Sequence, residues 1–240
     1  MMLAGKTYWV VGASEGLGRA LAACLVVEGA SVVVSARDLT KLRAFSASHP
    51  KLRAVVMDVT DSASVTQAVA LAGEVDGVIY CAGLYDPMSA LDWQPGQAEA
   101  MADANYIGAL RLLSHLVPVF VARKAGHIVL IGSLAGFRGL PGAIGYGSSK
   151  AALMHLAENL RVDLRGSGVR VQLANPGYIA TRLTAKNRFR MPQLMSPEAA
   201  ALRVLRLMLS TRFCATFPAP FAWLFTIGRF LPLRLFQSLF

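Results

Sequence analysis

The chain has 240 residues, which suits one α/β domain and is long enough to bury a sizeable core. Hydrophobic residues make up 55% and charged residues 16%, which excludes a disordered chain and calls for a large buried sheet or a lipid-facing surface. The formal net charge is +10, but the basic residues are scattered and no Lys/Arg run interleaves with aromatics, so nucleic acid is not the expected partner. Cys24, Cys81 and Cys214 are an odd set without motif spacing, which argues against a disulfide framework and a zinc site. Their apolar neighbours suggest buried thiols in a reducing compartment. The four histidines (His49, His115, His127, His155) form no ligand pattern, and no metal is expected. Met1 to Lys6 runs into an apolar strand without a cleavage site, which points to the cytoplasm.

The elements follow in a regular order. Thr7 to Val11 is a short β-rich run, followed by a glycine-rich turn and a helix from Leu17 to Glu28 that Gly29 closes. Ser31 to Ala36 is a β-branched run, as for a strand buried on both faces. Leu39 to Ser48 reads as helix, Arg53 to Met57 as strand, Ser62 to Leu71 as a helix capped by Asp61 or Ser62, and Gly77 to Cys81 as strand. Two helices are predicted next, Gly96 to Ala104 and Tyr106 to Arg123. His127 to Ile131 is a strand, Tyr146 to Arg165 a helix and Val169 to Ala174 a strand. A helix starts at Ser196 with Pro197 in its first position and runs to about Leu209, and Cys214 to Phe217 is the last strand. Strands alternating with helices of this length mean βαβ units and one doubly wound parallel sheet of about seven strands. The ligand crevice then lies at the carboxyl ends of the strands, where the glycine loop, Asp58, Cys81-Ala82-Gly83, Ser133 and Pro176-Gly177 fall.

The first turn reads Gly12-Ala13-Ser14-Glu15-Gly16-Leu17-Gly18. Glycines permit a tight turn and let the backbone approach a pyrophosphate, which a helix N-terminus then receives. This GxxxGxG spacing resembles the cofactor loop of the short-chain dehydrogenase/reductase family, and the resemblance extends over roughly residues 5–210. It implies a Rossmann-type domain in which Gly12, Ser14, Glu15, Gly16, Leu17 and Gly18 hold a dinucleotide. The second strand ends in Ser35-Ala36-Arg37, with no carboxylate to repel a 2′-phosphate and a planar guanidinium to bind one. NADP(H) is therefore preferred over NAD(H), with a surface-loop cap as the lesser alternative for Arg37 and with Asp38 standing one position late. Asp58 and Val59 match the family's adenine contact, with a turn or helix cap as the plain alternative. Ala82 and Gly83 match the family's Asn-Ala-Gly, but Cys81 stands where the asparagine would be and lacks its amide bonds.

Tyr146-Gly147-Ser148-Ser149-Lys150 opens a helix, and four-residue spacing puts Tyr146 and Lys150 on one face. Carbonyl reduction needs a proton donor beside the oxygen, and a nearby ammonium lowers a tyrosine toward working pH. Ser133 ends a strand thirteen residues earlier, where its hydroxyl can meet the substrate oxygen. The resemblance completes the set with Asn105, whose backbone in the family holds a water of the proton relay. It also assigns cofactor contacts to Tyr146, Lys150, Pro176, Gly177, Ile179 and Thr181. The implied activity is hydride transfer between NADP(H) and a carbonyl or secondary alcohol.

Residues 181–195 read as a loop over the substrate, basic through Arg182, Lys186, Arg188 and Arg190 and apolar through Phe189 and Met191. It fits an anionic, greasy substrate or a solvated flap. Leu134, Phe137, Leu140, Tyr85 and Tyr178 are candidate pocket walls. The catalytic domain is placed at 1–216 and an apolar extension at 217–240. In that extension Leu231, Leu235 and Leu239 share a helix face, which either packs on the protein or a second subunit or lies on the inner face of a membrane. The resemblance further implies a homodimer or homotetramer. A dinucleotide-binding regulator without activity and a lipid-surface protein are the rival readings, and the presence of both Tyr146 and Lys150 counts against the regulator.

Overall fold

The computed structural model describes residues 3–239. A seven-stranded parallel sheet forms the centre, in the order β3-β2-β1-β4-β5-β6-β7. Its strands are β1 (Thr7–Val11), β2 (Ser31–Ala36), β3 (Leu52–Val56), β4 (Gly77–Tyr80), β5 (Gly126–Ile131), β6 (Val169–Pro176) and β7 (Cys214–Phe217). The chain reverses its direction of travel across the sheet between β1 and β4, which opens a crevice at the carboxyl ends of those strands.

Strand alternation divides the core in two. Tyr8 and Val10 of β1 face one side, with α1 (Gly16–Val27), α2 (Leu39–Ser46) and α7 (Pro197–Leu209). Trp9 and Val11 face the other, with α3 (Ser62–Ala72), α5 (Gly108–Ala122) and α6 (Ile144–Asp163). Burial on both faces explains the unbroken β-branched runs of β2. Leu17, Leu21 and Leu25 on α1 follow a four-residue spacing and pack into the first core. The one polar residue inside β2, Ser35, accepts a hydrogen bond from the Trp9 indole at 2.8 Å. Asp61 caps α3 and Ser196 caps α7, each accepting from a main-chain N–H of the first turn.

Two expectations are corrected. The helices predicted at 96–104 and 106–123 are one continuous helix, Gln97–Ala122. Its first part is α4 (Gln97–Ala102), and a π-turn over Asp103–Ile107 joins α4 to α5. The Gly108 N–H reaches back five residues to the Asp103 carbonyl, a single wide turn that apolar spacing does not reveal. The C-terminal extension folds as α8 (Phe221–Gly228) and α9 (Leu233–Gln237), so Leu231 and Leu239 fall outside a helix. Of the packing and lipid readings left open for the leucine face, packing on this protein does not occur: Leu231, Leu235 and Leu239 are exposed, and it is Phe236 that is fully buried.

Candidate active site

The glycine loop between β1 and α1 is shaped for a backbone ligand. Gly12 has φ +87°, and a Cβ there would stand 2.6 Å from the Ala82 main chain. A Cβ on Gly18 would overlap the Gly12 carbonyl oxygen. Gly16 has φ +57°, and a Cβ there would stand 2.9 Å from the Thr181 methyl. The loop therefore contacts both the β4 end and the start of the segment after β6, and only glycine leaves that cradle open. No described side chain caps the α1 N-terminus, so its first N–H groups point into the cradle. These are the features a pyrophosphate requires, and the residues fit a dinucleotide.

Around the cradle, the other expected contacts divide into two groups. Ser14, Ala82 and Gly177 line the crevice half-buried, with Gly83 exposed. Leu17, Val59 and Ile179 turn their side chains into the core, which leaves only their main-chain groups for a ligand. The Val59 carbonyl is engaged by Arg111 at 3.2 Å. Pro176 is the last residue of β6, pairing in register with Phe217, two residues beyond the expected strand end. Arg37 is exposed at the carboxyl end of β2, close enough to Asp58 to act on its charge. Burial would raise the Asp58 carboxyl, but hydrogen bonds from the Thr60 N–H and hydroxyl, with Arg37 and Arg111, hold it below the usual range. Asp38, an apparent obstacle to a 2′-phosphate, is the N-cap of α2, accepting from the Lys41 N–H at 3.0 Å. Glu15 is paired with Arg182 at 2.6 Å and Lys41 at 3.4 Å, and the Arg182 hydrogen bond lowers its pKa most.

The polar constellation at the ends of β4 and β5 is compact. Asn105, in the π-turn, is fully buried. Its amide donates to the Leu84 carbonyl and the Ser149 hydroxyl, both at 2.9 Å, and its oxygen accepts from the Leu84 N–H at 2.6 Å. It thereby clamps the loop after β4 to the start of α6. A Cβ at Gly83 would sit 3.3 Å from the Asn105 oxygen and 3.7 Å from the Lys150 ammonium, so the small Ala-Gly pair is what lets these side chains reach the crevice. Lys150 is 4% exposed and donates to the Ile131 carbonyl at 2.9 Å. Its nitrogen lies 5.8 Å from the Tyr146 ring centre. Ser133 is hydrogen-bonded to Tyr146, and its Oγ also accepts from the Ala135 N–H at 3.1 Å.

Burial dominates the titration of the pair. It pushes Tyr146 up to about 12, with the Ser133 hydrogen bond pulling the other way. It pushes Lys150 down to about 8. The expected lowering of the tyrosine by the ammonium is thus not what this arrangement produces. Lys150 directs one of its three N–H donors to the Ile131 carbonyl, and desolvation of the phenol is the largest influence on Tyr146. Cys81, half-buried beside them, is raised to about 11 by burial and is a free thiol.

Tyr85 and Lys186 were expected at a pocket wall and in the substrate loop, but their partners Asn187 and Asp86, and Ser149, were not singled out from sequence. Tyr85 meets Tyr146 edge-on at 4.9 Å between ring centres, and its hydroxyl donates to Asn187 at 2.6 Å. Lys186 pairs with Asp86 and donates to the Tyr85 carbonyl at 2.9 Å, so the loop 181–195 is tied down over the site. Ser149 had a signal, its place one residue before Lys150 on the helix that Asn105 faces. The Lys186–Asp86 pair joins positions a hundred residues apart and had none.

Residues 6–191 match the sequence pattern described as short chain dehydrogenase. The chain belongs to the short-chain dehydrogenase family. It is therefore an oxidoreductase, in a family that binds NAD(P) and acts on small-molecule substrates. An uncharacterized oxidoreductase of Myxococcus xanthus is 41% identical over 205 residues, covering 81% of this chain and 80% of that protein. Ketoacyl reductase HetN of Nostoc sp. is 32% identical over 216 residues, covering 85% and 75%. Among solved structures, a short-chain dehydrogenase from Burkholderia cenocepacia in complex with NADP superposes with a TM-score of 0.85 at 27% identity, covering 95% of this chain and 94% of that one.

Proposed function

We propose that this short-chain dehydrogenase reduces the carbonyl group of an apolar substrate, with NADPH as the preferred hydride donor. The observation that carries the reading is the buried Ser133–Tyr146–Lys150 cluster beside the glycine cradle. When bound, the nicotinamide supplies the hydride. Tyr146 Oη gives the proton to the substrate oxygen, and Ser133 Oγ shares the hydrogen bonding of that oxygen. Burial holds the phenol protonated, the form that gives a proton to a reduced carbonyl. Lys150, anchored on Ile131, holds a positive charge against the base of the tyrosine and, by family resemblance, the nicotinamide ribose. Asn105 is a positioning residue, since it fixes Leu84 and Ser149 around the lysine.

For the cofactor, Gly12, Gly16 and Gly18 with Ser14 and Thr181 would hold the pyrophosphate, Asp58 and Val59 the adenine, and Arg37 with Lys41 the 2′-phosphate. The Asp38 carboxylate caps α2 and faces the Lys41 ammonium at 3.8 Å, which offsets its charge beside that anion. The NADP-bound relative supports the same preference. On the substrate side, Tyr85, Tyr178, Leu134, Phe137 and Leu140 offer apolar walls, and the ketoacyl reductase relative is consistent with an aliphatic ketone. The family also supports a homodimer or homotetramer.

Turnover of NADPH and of NADH should be followed against ketones of graded chain length. The reading predicts faster reaction with NADPH and a rising kcat/KM with chain length. Equal use of NADH, or no dependence on chain length, would overturn the cofactor or the substrate assignment respectively.

A further inference from the structure

The segment after β7 has two faces of different chemistry. Inward, Phe225 and Phe236 are buried against Leu134, with Phe137, Leu140 and Phe221 beside them. Outward, Trp223 and Ile227 stand one turn apart on α8, and Phe230, Leu233, Leu235 and Leu239 follow. Phe230 is 75% exposed and Ile227 63%. Single exposed apolar side chains are ordinary, but seven large ones in one short segment, Leu231 included, mark a surface made for an apolar partner.

The turn that presents them is fastened from behind. The Arg138 guanidinium donates to the Arg229 carbonyl and, at 3.0 Å, to the Leu231 carbonyl. Phe230 is thus held outward by the body of the protein. The Arg229 guanidinium lies over the Phe230 ring at 4.7 Å from its centre, pairing a charge with the most exposed ring. The loop 181–195 meets the start of α8 from the side of the protein body: Phe189 packs on Tyr178, Tyr178 stacks on Phe221, and the Phe221 N–H donates to Gln193 at 3.2 Å. It adds exposed Arg188 and Arg190 to exposed Arg229 and Arg234. No Asp or Glu occurs after Glu198. An apolar face with an arginine fringe and no carboxylate on its own segment repels an identical copy and complements an anionic sheet of headgroups.

We propose that the outer face of α8 and α9 is a docking surface for an anionic lipid bilayer. Helices of eight and five residues are too short to cross one and would lie in its plane. Trp223, Ile227, Phe230 and the leucines enter the acyl boundary, and the four arginines meet the lipid phosphates. Helix Gln97–Ala122 has the length and apolarity of a membrane span, but its π-turn holds Asn105 in the polar cluster and its Leu112 and Leu116 fill the core. Membrane contact is therefore assigned to the extension.

The test is co-sedimentation of the full-length chain with phosphatidylcholine vesicles, with and without phosphatidylglycerol. Binding is expected to the phosphatidylglycerol vesicles and to weaken with salt. The double variant Trp223→Ser/Phe230→Ser should lower partitioning on the order of a hundredfold, by loss of two apolar side chains. Arg229→Gln/Arg234→Gln should lower it about tenfold or more. All four side chains are exposed, so thermal melting should match the parent, which separates lost binding from lost folding. Protein that stays in the supernatant with both vesicles, or a double serine variant that still sediments, overturns the proposal. So does a dimer that Trp223→Ser dissociates in the absence of any vesicle binding, since the face would then be a subunit interface.

Discussion

The polar cluster and the C-terminal extension meet on the same stretch of chain, the loop after β5, yet they are held in opposite ways. Ser133 begins that loop and belongs to a set of buried polar groups with specific hydrogen-bond partners. Leu134, Phe137 and Leu140 follow within it and receive the extension through non-directional aromatic and aliphatic contact. Buried polar groups must find partners at fixed distances and angles, so their spacing along the chain is constrained. Apolar packing asks only for surface removed from water, so the same sequence can turn either side inward. The difference teaches that the chemistry resides in the constrained half, while the extension is where the molecule is free to acquire a surface function.

The contrast can be broken at either end. Lys150→Met removes the donor to Ile131 and the charge behind the tyrosine while nearly keeping the volume. Turnover should fall by about two to four orders of magnitude, measured as kcat with saturating cofactor, while the melting temperature changes little. In the extension, Phe236→Ala should cost about 3 kcal/mol or more by opening a cavity, read from chemical denaturation. Phe230→Ser, six residues away and exposed, should stay within about 0.5 kcal/mol of the parent. If both phenylalanines cost the same, the inward and outward faces have been assigned the wrong way round. At the cofactor end, Arg37→Ala should weaken NADPH by about tenfold in KM and leave NADH nearly unchanged.

A smaller effect comes from the opposite end of the sheet. His127 on β5 is buried, with Nδ1 accepting from Arg170 at 3.1 Å, so Nε2 carries the proton and donates to Gln172 at 2.8 Å. Burial, with the Arg170 charge, lowers its pKa from 6.5 to about 3. Below 6.5 the unfolded chain binds a proton that the folded chain refuses. This contribution to stability is therefore intact above 6.5 and is lost as pH falls toward 3, by about 1.4 kcal/mol per unit. Denaturation midpoints at a series of acidic pH values, compared with His127→Gln, check the slope, which the variant should flatten.

The sheet and most helices were legible because β-branched runs, glycines after helices and caps such as Asp61 and Ser196 are local signals. The site was legible where its members share an element or end a strand, as with Tyr146, Lys150, Ser133 and the glycine loop. The π-turn around Asn105 was not, because one extra residue in a helix leaves the apolar rhythm intact on either side. The titration of Tyr146 and Lys150 was not either, since it depends on burial by Tyr85, Cys81 and the loop that Lys186 ties down, all set by tertiary contact. Phe236 against Leu235 was undecidable from spacing, because the two are adjacent and Leu and Phe outnumber the polar Arg234, Gln237 and Ser238 around the helix.

The central claim, that Tyr146 transfers the proton, is tested most directly by Tyr146→Phe. The variant keeps the ring against Tyr85 and removes only the hydroxyl. The account predicts NADPH binding near the parent value, by fluorescence titration, with ketone reduction slowed by about two to four orders of magnitude. Reduction at the parent rate with intact cofactor binding would contradict it.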